Sequence, residues 1–496
     1  MDERFDIRVS SGSRLLVDVR GFSLRRGEIT LLFGESGIGK SLIGKALFGI
    51  MDDPLLHVEI NGIDADRYYA APEVAASKRD GFFVFQEPSS HLNPLETLAA
   101  QMREGDLAAC DDPVRVVGTL WGEDEQRDLA RILPVFPTAY RPSGGEKQRI
   151  LIGMAFEKME LAASSGEQRR GLFVFDEPTG SLDREARDRF LDGLFGHYRH
   201  GKGTILLITH DYSMIGYVRK RHPAMEQHVS YRELRRDGAG LSLADFRPAD
   251  YLQWLEGIRP KVTKHVSGPP LLSVESGLRV FGKKLGFHGP GDRSERSHLE
   301  IRSGDLVYLK ARSGAGKTTV AKIIIGLQRA DYFRMNFDGI RLGEVSPPRY
   351  WEKKLWGKKM TMVFQHADEA LNLKSTVGQS LAILPVESTQ TEEGRRGILA
   401  SLFDDGSLPT LARKRVSYLS GGQKQRLNLL RAFALSTSFL ILDEPLNALD
   451  FRSITRVLQA IERRRELGQG ILLISHNEDI FQALIPPEST YTLVEE

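Results

Sequence analysis

The stretch Gly34-Glu35-Ser36-Gly37-Ile38-Gly39-Lys40-Ser41 decides the fold of the first half of the chain. It follows the apolar run 29–33, which predicts a strand leading into the loop. A Gly-rich loop that opens a helix gathers backbone N–H groups around a phosphate, and the helix start adds roughly half a positive charge. In this pattern Lys40 reaches the β- and γ-phosphates and Ser41 ligates Mg²⁺. The stretch therefore predicts a nucleotide-binding α/β domain.

The same pattern occurs a second time, as Ala311-Arg312-Ser313-Gly314-Ala315-Gly316-Lys317-Thr318. Each copy is followed, in the same order, by a Gln, a Ser-Gly-Gly, an apolar run ending in Asp-Glu, and a His. In the first half these are Gln86, Ser143-Gly144-Gly145, Asp176-Glu177 and His210. In the second half they are Gln365, Ser420-Gly421-Gly422, Asp443-Glu444 and His476. Chance does not reproduce a five-part pattern twice, so the chain contains an internal duplication.

The repeat divides the 496 residues into two domains, each long enough to bury its own core. Residues 236–267 contain Gly- and Pro-bearing stretches that break any long period, so we expect a linker there, with one short helix around 249–257. The first domain is then expected to span 1–235 and the second 268–496. Within each, short apolar runs alternate with amphipathic segments, which predicts a parallel-sheet core covered by helices, with room for a helical subdomain between the Gln and the Ser-Gly-Gly.

The composition excludes several classes of protein. The chain has 68 basic and 66 acidic residues, so no large single-sign field favours nucleic acid or an anionic membrane. No window is long and apolar enough to span a bilayer, and the charged start does not resemble a signal peptide. Cys110 is the single cysteine, which excludes an internal disulfide and favours a bystander thiol. These features predict a cytoplasmic location.

The two Asp-Glu pairs follow unbroken apolar runs, 172–175 and 439–442. Such a run predicts a strand buried on both faces, whose carboxylates emerge only at the edge where the phosphates bind. The Asp of each pair is expected to bind Mg²⁺. The Glu is placed to polarise the attacking water, work worth roughly 10²–10⁴-fold for a positioned general base.

These motifs resemble the ATP-binding cassette (ABC) ATPases, over nearly the whole chain except the linker. The resemblance implies ATP and Mg²⁺ as ligands and Glu177 and Glu444 as catalytic bases, with His210 and His476 as switch histidines. It makes Gln86 and Gln365 the Q-loop glutamines and further Mg²⁺ ligands, beside Ser41, Asp176, Thr318 and Asp443. It also implies a head-to-tail sandwich, in which the Gly-rich loop of one domain and the Ser-Gly-Gly of the other hold each ATP.

A finer resemblance lies around the first Q-loop, where Phe85-Gln86-Glu87-Pro88 and Leu92-Asn93-Pro94 are similar to the peptide and nickel branch of bacterial importers. That branch implies two integral-membrane permease subunits, a solute-binding protein, and a position on the cytoplasmic face of the membrane. The cargo is then peptide-like or a metal chelate. The alternative is a soluble tandem ATPase acting on the ribosome, a branch that favours a long charged linker.

Several departures from the family pattern lead to further expectations. Ala311 replaces the first loop glycine, and Pro142 and Glu146 flank the first Ser-Gly-Gly, so we expect unequal sites, with the Glu146 carboxylate weakening one of them. The first domain shows no obvious aromatic to stack on adenine, whereas Phe281 or Phe287 can serve in the second. The polar stretch 157–170 is expected to be a surface loop.

Overall fold

The computed structural model describes residues 2–51, 53–110, 112–122, 126–137, 142–164, 171–180, 182–201, 203–237, 240–258, 270–289, 296–311, 315–404 and 408–496. Contacts divide the chain into two compact units, Met1–Tyr251 and Leu252–Glu496. The division falls within the helix Pro248–Gly257, and this helix confirms the one expected around 249–257. Three of the predicted site residues lie outside the described residues, and they are Arg312, Ser313 and Gly314. Part of the expected linker and Ser181 lie outside them as well. The head-to-tail arrangement and the expected domain bounds stay predictions.

The first unit contains strands and helices in the following order. They are β1 (Asp2–Ser11), β2 (Arg14–Arg25), β3 (Ile29–Gly34), α1 (Lys40–Phe48), β4 (Leu56–Ile60), β5 (Ile63–Asp64), α2 (Ala65–Tyr69), α3 (Pro72–Arg79), β6 (Phe82–Val84), α4 (Leu98–Gln101), α5 (Pro113–Gly118), α6 (Gln126–Ile132), α7 (Gly144–Ser164), β7 (Leu172–Asp176), α8 (Arg184–Gly201), β8 (Thr204–Ile208), α9 (Ser213–Arg221), β9 (Val229–Asp237), β10 (Gly240–Asp245) and α10 (Pro248–Gly257). Short 3-10 helices occupy Pro88–Ser90, Gly105–Ala109 and Pro223–His228.

The second unit repeats this plan with changes. Its elements are β11 (Leu272–Val274), β12 (Leu278–Val280), β13 (Lys283–His288), β14 (Arg296–Ser297), β15 (Leu299–Ile301), β16 (Leu306–Lys310), α11 (Lys317–Ile324), β17 (Arg334–Phe337), β18 (Ile340–Gly343), α12 (Pro348–Tyr350) with the π-helix Trp351–Leu355, β19 (Met360–Val363), α13 (Val377–Ala382), α14 (Glu387–Gln390), α15 (Glu392–Ala400), α16 (Leu408–Arg413), α17 (Gly421–Ala434), β20 (Phe439–Asp443), α18 (Phe451–Glu466), β21 (Gly470–Ile474), α19 (Glu478–Leu484) and β22 (Thr490–Glu495). Short 3-10 helices occupy Ala367–Glu369, Val416–Tyr418 and Pro487–Ser489.

Each unit has a parallel core sheet, which confirms the predicted α/β fold. In the first unit the described strands run in the order β10-β9-β3-β8-β7-β6, and β3, β8, β7 and β6 pair in parallel. In the second the order is β12-β13-β22-β16-β21-β20-β19, with β16, β21, β20 and β19 parallel. The central strands are buried along their whole length and consist mainly of apolar residues, because both their faces are covered. The site motifs therefore follow the carboxyl ends of neighbouring strands.

The two core sheets differ at one edge. In the first unit β9 lies between β3 and β10, and β10 is a strand within the stretch expected to be linker. In the second unit β22 lies between β16 and β13, a strand that precedes the Gly-rich loop in sequence. The sequence pattern did not predict which strands pair at this edge, because the composition of a half-exposed strand does not specify its partner.

The stretch 157–170 was expected to be a surface loop, and for its first eight residues that expectation is wrong. Helix α7 has 21 residues against 14 in the corresponding α17, and it continues to Ser164. Glu157 is fully buried on α7, and within the described residues neither of its carboxylate oxygens has a hydrogen-bond partner. Burial raises the pKa of Glu157 to about 8, although the nearby Arg103 opposes the shift. Tertiary packing of the helix outweighs the polar composition of the segment.

Replacing this buried acid is expected to stabilise the protein in a pH-dependent way. The folded-state pKa of Glu157 lies at about 8, above its ordinary 4.5, so stability falls as pH rises between these values. Glu157→Leu removes that loss and should raise Tm relative to wild type by about 2–4 °C near pH 8.5, and by less near pH 5. Calorimetry at both pH values measures the difference. An equal Tm change at both would show that Glu157 is ionised throughout.

The structure also bears on membrane insertion. Among the described residues, no helix is both long and apolar enough to cross a bilayer.

Candidate functional site

The first Gly-rich loop connects β3 to α1 as the sequence predicts. Lys40, the first residue of α1, is buried, and its Nζ donates to the carbonyl oxygens of Gly34 at 2.6 Å and Glu35 at 3.0 Å. Gly34, Gly37 and Gly39 all have positive φ, the backbone conformation that favours glycine. A Cβ on Gly39 would lie 2.7 Å from Val17 Cγ2, so no other residue fits there without rearrangement. Burial lowers the pKa of Lys40.

Asp176 is the last residue of β7, and Glu177 follows it, beside this loop. Ser41 Oγ donates to Asp176 Oδ1 at 3.0 Å, and burial raises the Asp176 pKa to about 6. Glu177 has a φ of 45°, unusual for a residue with a side chain, and its N–H donates to Ile208 O on the neighbouring β8. A strained backbone of this kind persists only where its surroundings hold it, and such positions cluster at functional sites. Glu444 in the second unit has the same conformation, with a φ of 50°.

Glu177 is the centre of a polar cluster in the first unit. Gln86 Nε2 donates to Glu177 Oε2 at 3.0 Å, His210 Nδ1 lies 3.3 Å from the same oxygen, and Lys40 Nζ lies 3.6 Å from Oε1. Burial raises the pKa of Glu177, but the charges and hydrogen bonds of His210 and Lys40 outweigh it and bring the pKa to about 2. Burial likewise lowers the pKa of His210, and Glu177 raises it by more. The structure thus brings three predicted site residues together around the ionised carboxylate of a fourth, Glu177.

The second unit places the corresponding residues differently. Lys317 Nζ donates to Ala311 O at 2.8 Å, as Lys40 does to Gly34. Glu444 Oε2 instead accepts a hydrogen bond from Ser475 Oγ at 2.9 Å, and His476 Nε2 lies 3.4 Å from Glu444 Oε1. Burial raises the pKa of Glu444 to about 7, despite hydrogen bonds from Ser475 and from the His476 backbone. The carboxylate at this position is therefore much harder to ionise than Glu177.

A buried ion pair near the first switch histidine has no counterpart in the second unit. Arg187 on α8 is buried, and its Nη1 lies 3.2 Å from Asp211 Oδ2. Asp211 is the residue directly after His210. Arg187 also donates to Ser213 Oγ, so α8 is tied to the loop that carries His210. At the corresponding positions the second unit has Ile454 and Asn477. This contact therefore fixes the loop that carries His210, whereas His476 lies 3.4 Å from Glu444 without such an ion pair at the corresponding positions.

The Ser-Gly-Gly segments begin long helices on the helical subdomains. Ser420 caps α17, with Gln423 Oε1 accepting from the Ser420 N–H at 3.2 Å and Ser420 Oγ accepting from the Gln423 N–H at 3.2 Å. Glu146 makes the same reciprocal contacts with Ser143, accepting from its N–H and hydroxyl at 2.7 Å each. Glu at this position of a capping box is favourable, and its charge complements the helix dipole. The carboxylate is thus occupied in capping α7, which argues against the expected weakening of the site.

Glu146→Gln is therefore expected to change little. The amide oxygen of Gln keeps the acceptor for Ser143, as Gln423 does in the second unit, and only the dipole contribution of about 0.3–1 kcal/mol is lost. We expect steady-state ATP hydrolysis within about twofold of wild type. A severalfold gain in activity would instead support a repulsive role for the carboxylate.

The two aromatic residues expected near adenine in the second unit differ in their exposure to solvent. Phe287 is 0% exposed within the core, so it has no free ring face, and the expectation that it can stack on adenine is wrong. Phe281 is 74% exposed at the turn between β12 and β13, with a φ of 52°. Strand β13 also approaches the Gly-rich loop, since a Cβ on Gly316 would lie 3.7 Å from Leu285 Cδ1. Phe281 remains the candidate stacking residue.

The Q-loop segments are held by the long helices. Gln148 Nε2 donates to Phe85 O at 3.2 Å, and Asn428 Nδ2 donates to Phe364 O at 3.3 Å, each just before the Q-loop glutamine. Gln86 is exposed and Gln365 is half-buried. The sequence analysis missed Gln148, Asn428 and Ser475, although each lies within a few residues of a recognised motif. Their contacts arise between elements distant in sequence.

The residues present fit a bound Mg²⁺ and nucleotide. Asp443 is buried, and within the described part of the chain neither of its carboxylate oxygens accepts a hydrogen bond. Such buried, unsatisfied oxygens are what a hard cation or its water shell requires. The glycine-bearing loop and the N-terminus of the nine-residue α1 present backbone N–H groups suited to phosphate.

Comparison with known proteins identifies the family. A family model described as ABC transporter matches residues 17–180 and 295–447. The glutathione import ATP-binding protein GsiA of Escherichia coli O157:H7 is 24% identical over 533 residues, covering 97% of this chain and 83% of that protein. The peptidoglycan transport ATP-binding protein YejF of Agrobacterium fabrum is 27% identical over 506 residues, covering 94% and 86%.

A solved structure shares the fold. The archaeal ribosome recycling factor aABCE1, crystallised with the ribosomal stalk protein aP1, superposes with a TM-score of 0.62 at 18% identity, covering 96% of this chain and 87% of its own. At this identity the likeness shows the fold alone. Because the family model matches both copies of the repeat, over more than half of the residues, the chain belongs to the ABC transporter family.

Proposed function

We propose that this chain is the ATP-hydrolysing, energy-coupling subunit of an importer. The observation that carries the proposal is the cluster of Lys40, Gln86 and His210 around the ionised carboxylate of Glu177, a group able to accept a proton from water. The relatives named as import and transport ATP-binding proteins span nearly the whole chain and support the transport assignment.

In this proposal each copy of the repeat binds one ATP. The two Gly-rich loops, with Lys40 and Lys317, hold the phosphates, and Glu177 and Glu444 accept the proton of the attacking water. His210 and His476 orient these carboxylates. Ser41, Gln86 and Asp176, and in the second unit Thr318, Gln365 and Asp443, would hold Mg²⁺. Bound Mg²⁺ supplies neutralisation of the phosphate charge. Ser143-Gly144-Gly145 and Ser420-Gly421-Gly422 add backbone donors to the nucleotide.

The proposed partners are two integral-membrane permeases and a solute-binding protein, with the chain peripheral on the cytoplasmic face of the membrane. The relatives act on glutathione and peptidoglycan by name, so the proposed cargo contains peptide bonds, with a metal chelate as the other cargo that the resemblance allows. The alternative function, a factor acting on the ribosome, draws on the fold shared with aABCE1 alone.

The helical subdomain of the first unit offers a surface for a permease. Leu95 is 80% exposed directly after the Leu92-Asn93-Pro94 segment. Phe136, also exposed, lies on the neighbouring segment, because the Leu98 N–H donates to Val135 O at 3.1 Å. Leu92 itself is buried, so the Leu92-Asn93-Pro94 turn is held against the protein by this side chain and is not exposed along its whole length. Exposed apolar side chains on adjacent segments are typical of an interaction site.

The test uses the full chain reconstituted in membrane vesicles with the two proposed permease subunits. We expect Leu95→Asp to abolish the stimulation of ATP hydrolysis by permease and loaded binding protein, while basal hydrolysis stays within about twofold of wild type. Leu55→Asp is the matched control, because Leu55 is 73% exposed at the start of β4, away from this surface. Stimulation of hydrolysis by ribosomes, with none by permeases, would overturn the importer proposal.

A further inference from the structure

A cavity lies in the first unit, at the opposite end of the core strands from the nucleotide motifs. Its volume is about 310 Å³, at the lower end of the range for small-molecule sites. It is lined by Leu172 and Thr204, the first residues of β7 and β8, and by Leu47 and Phe48, the last residues of α1. Asp176 and Lys40 occupy the other ends of β7 and α1. We call this cavity the basal pocket.

The basal pocket has an apolar floor and a basic rim. Phe5, Leu24, Leu47, Phe48 and Leu172 form the floor, and all five are buried. Three basic residues and one acidic residue stand among the lining side chains, and they are Arg4, Arg26, Lys78 and Glu73. Arg26 pairs with Glu73 at 3.1 Å, and Lys78 Nζ donates to the neutral carbonyl of Gly49 at 2.6 Å. The rim therefore keeps a net positive charge.

The second unit fills the corresponding space with larger side chains. The last residue of β4 is Ile60, and the last of β17 is Phe337. The first residue of β7 is Leu172, and the first of β20 is Phe439. Both phenylalanines are fully buried, with ring centroids 6.1 Å apart.

A third position shows the same change. An aromatic ring covers the glycine after the P-loop helix in both units: a Cβ on Gly49 would meet Tyr69, and one on Gly326 would meet Trp351. Trp356 lies five residues beyond Trp351. Its Nε1 donates to the carbonyl oxygen of Ile325 at 2.7 Å, directly after α11. Five residues beyond Tyr69 is Val74, which lines the basal pocket.

The side chains that line the pocket thus differ between the two units. Protein interiors are close-packed, and replacing large side chains by small ones without collapse costs stability. Two smaller residues on the lining, Leu172 and Val74, therefore leave a space whose retention calls for an occupant.

We propose that the basal pocket binds a small apolar molecule carrying one negative charge, such as an aromatic or medium-chain monocarboxylate. The floor takes the hydrocarbon part, and the rim formed by Arg4, Arg26 and Lys78 takes the carboxylate through charge-assisted hydrogen bonds. Glu73 disfavours a dianion, because a second negative charge would face its carboxylate. The pocket lies outside the nucleotide motifs, so this proposal does not depend on the importer function.

Isothermal titration of the full chain with naphthoate and with octanoate, in the presence of saturating ADP, tests the proposal. We expect saturable binding of one of the two carboxylates at one site per chain. Val74→Trp, which places the residue of the second unit in the pocket, should weaken that binding at least tenfold. Val345→Trp is the matched control, because Val345 is 86% exposed in the second unit and its replacement should leave binding unchanged.

A charge test separates the rim from the floor. Arg26→Gln should weaken carboxylate binding severalfold and leave binding of the uncharged naphthylmethanol unchanged. If Val74→Trp does not fold, as judged by its thermal transition, Leu172→Phe fills the same pocket and takes its place. No binding to the wild-type chain, or equal binding to the filled variant, would overturn the proposal.

Discussion

Glu177→Gln is expected to lower steady-state ATP hydrolysis by roughly 10²-fold or more, and Glu444→Gln is expected to lower it by less. Gln keeps the size of the side chain and its hydrogen bond with Gln86, but it cannot accept a proton from water. The replacement therefore isolates the function of the base from its packing.

The unequal effect follows from the surroundings of the two carboxylates. Glu177 meets His210 and Lys40, and its pKa lies at about 2, so the base is ionised throughout the physiological range. Glu444 accepts a hydrogen bond from Ser475 and lies 3.4 Å from His476, but burial has the larger effect and its pKa lies at about 7, so only about half of it is ionised at neutral pH. The ionised fractions alone make the two sites differ about twofold, so the first unit should carry the larger share of the turnover. The 10²-fold loss in Glu177→Gln further requires that the two sites hydrolyse ATP together, as the head-to-tail sandwich of the family resemblance implies.

The measurement is the hydrolysis rate of the two single variants and the double variant, beside the affinity for a fluorescent ATP analogue. Binding should stay within about twofold of wild type, because neither Glu is expected to hold the nucleotide. Equal rates for the single variants would contradict the asymmetry. A double variant that hydrolyses ATP near the wild-type rate would contradict the assignment of the two residues as bases.

The sequence predicted the parts of the site that lie next to one another along the chain. The Gly-rich loop, the buried strand and the carboxylates at its end each have a local pattern, and the order of parallel strands brings them to one edge. The duplication strengthened every assignment, because each motif occurs twice. The class of fold and the family followed from these patterns.

Contacts between distant segments were not predictable in this way. The pairing of Arg187 with Asp211, and the hydrogen bond from Ser475 to Glu444, depend on how helices and loops meet in three dimensions. The capping by Glu146 is different, because a capping box is a local helix signal and was predictable from the sequence. The basal pocket depends on the relative volumes of side chains on seven helices and strands, which no sequence periodicity indicates.

The two single-site variants should also differ in their response to pH. In Glu177→Gln the remaining turnover depends on Glu444, whose pKa is raised by burial to about 7. A group with this pKa is about one-tenth ionised near pH 6 and about nine-tenths ionised near pH 8, so the rate should rise roughly tenfold over that interval.

In Glu444→Gln the turnover depends on Glu177, whose depressed pKa of about 2 leaves it ionised at every pH in the interval. Its rate should therefore stay within about twofold between pH 6 and pH 8, apart from any change that both variants share. Steady-state hydrolysis at saturating ATP, measured across this range in the same buffer for both variants, gives the comparison. Parallel profiles would show that the Ser475 contact and the His210 contact leave the two bases equally acidic, and the physical basis of the asymmetry would then be lost.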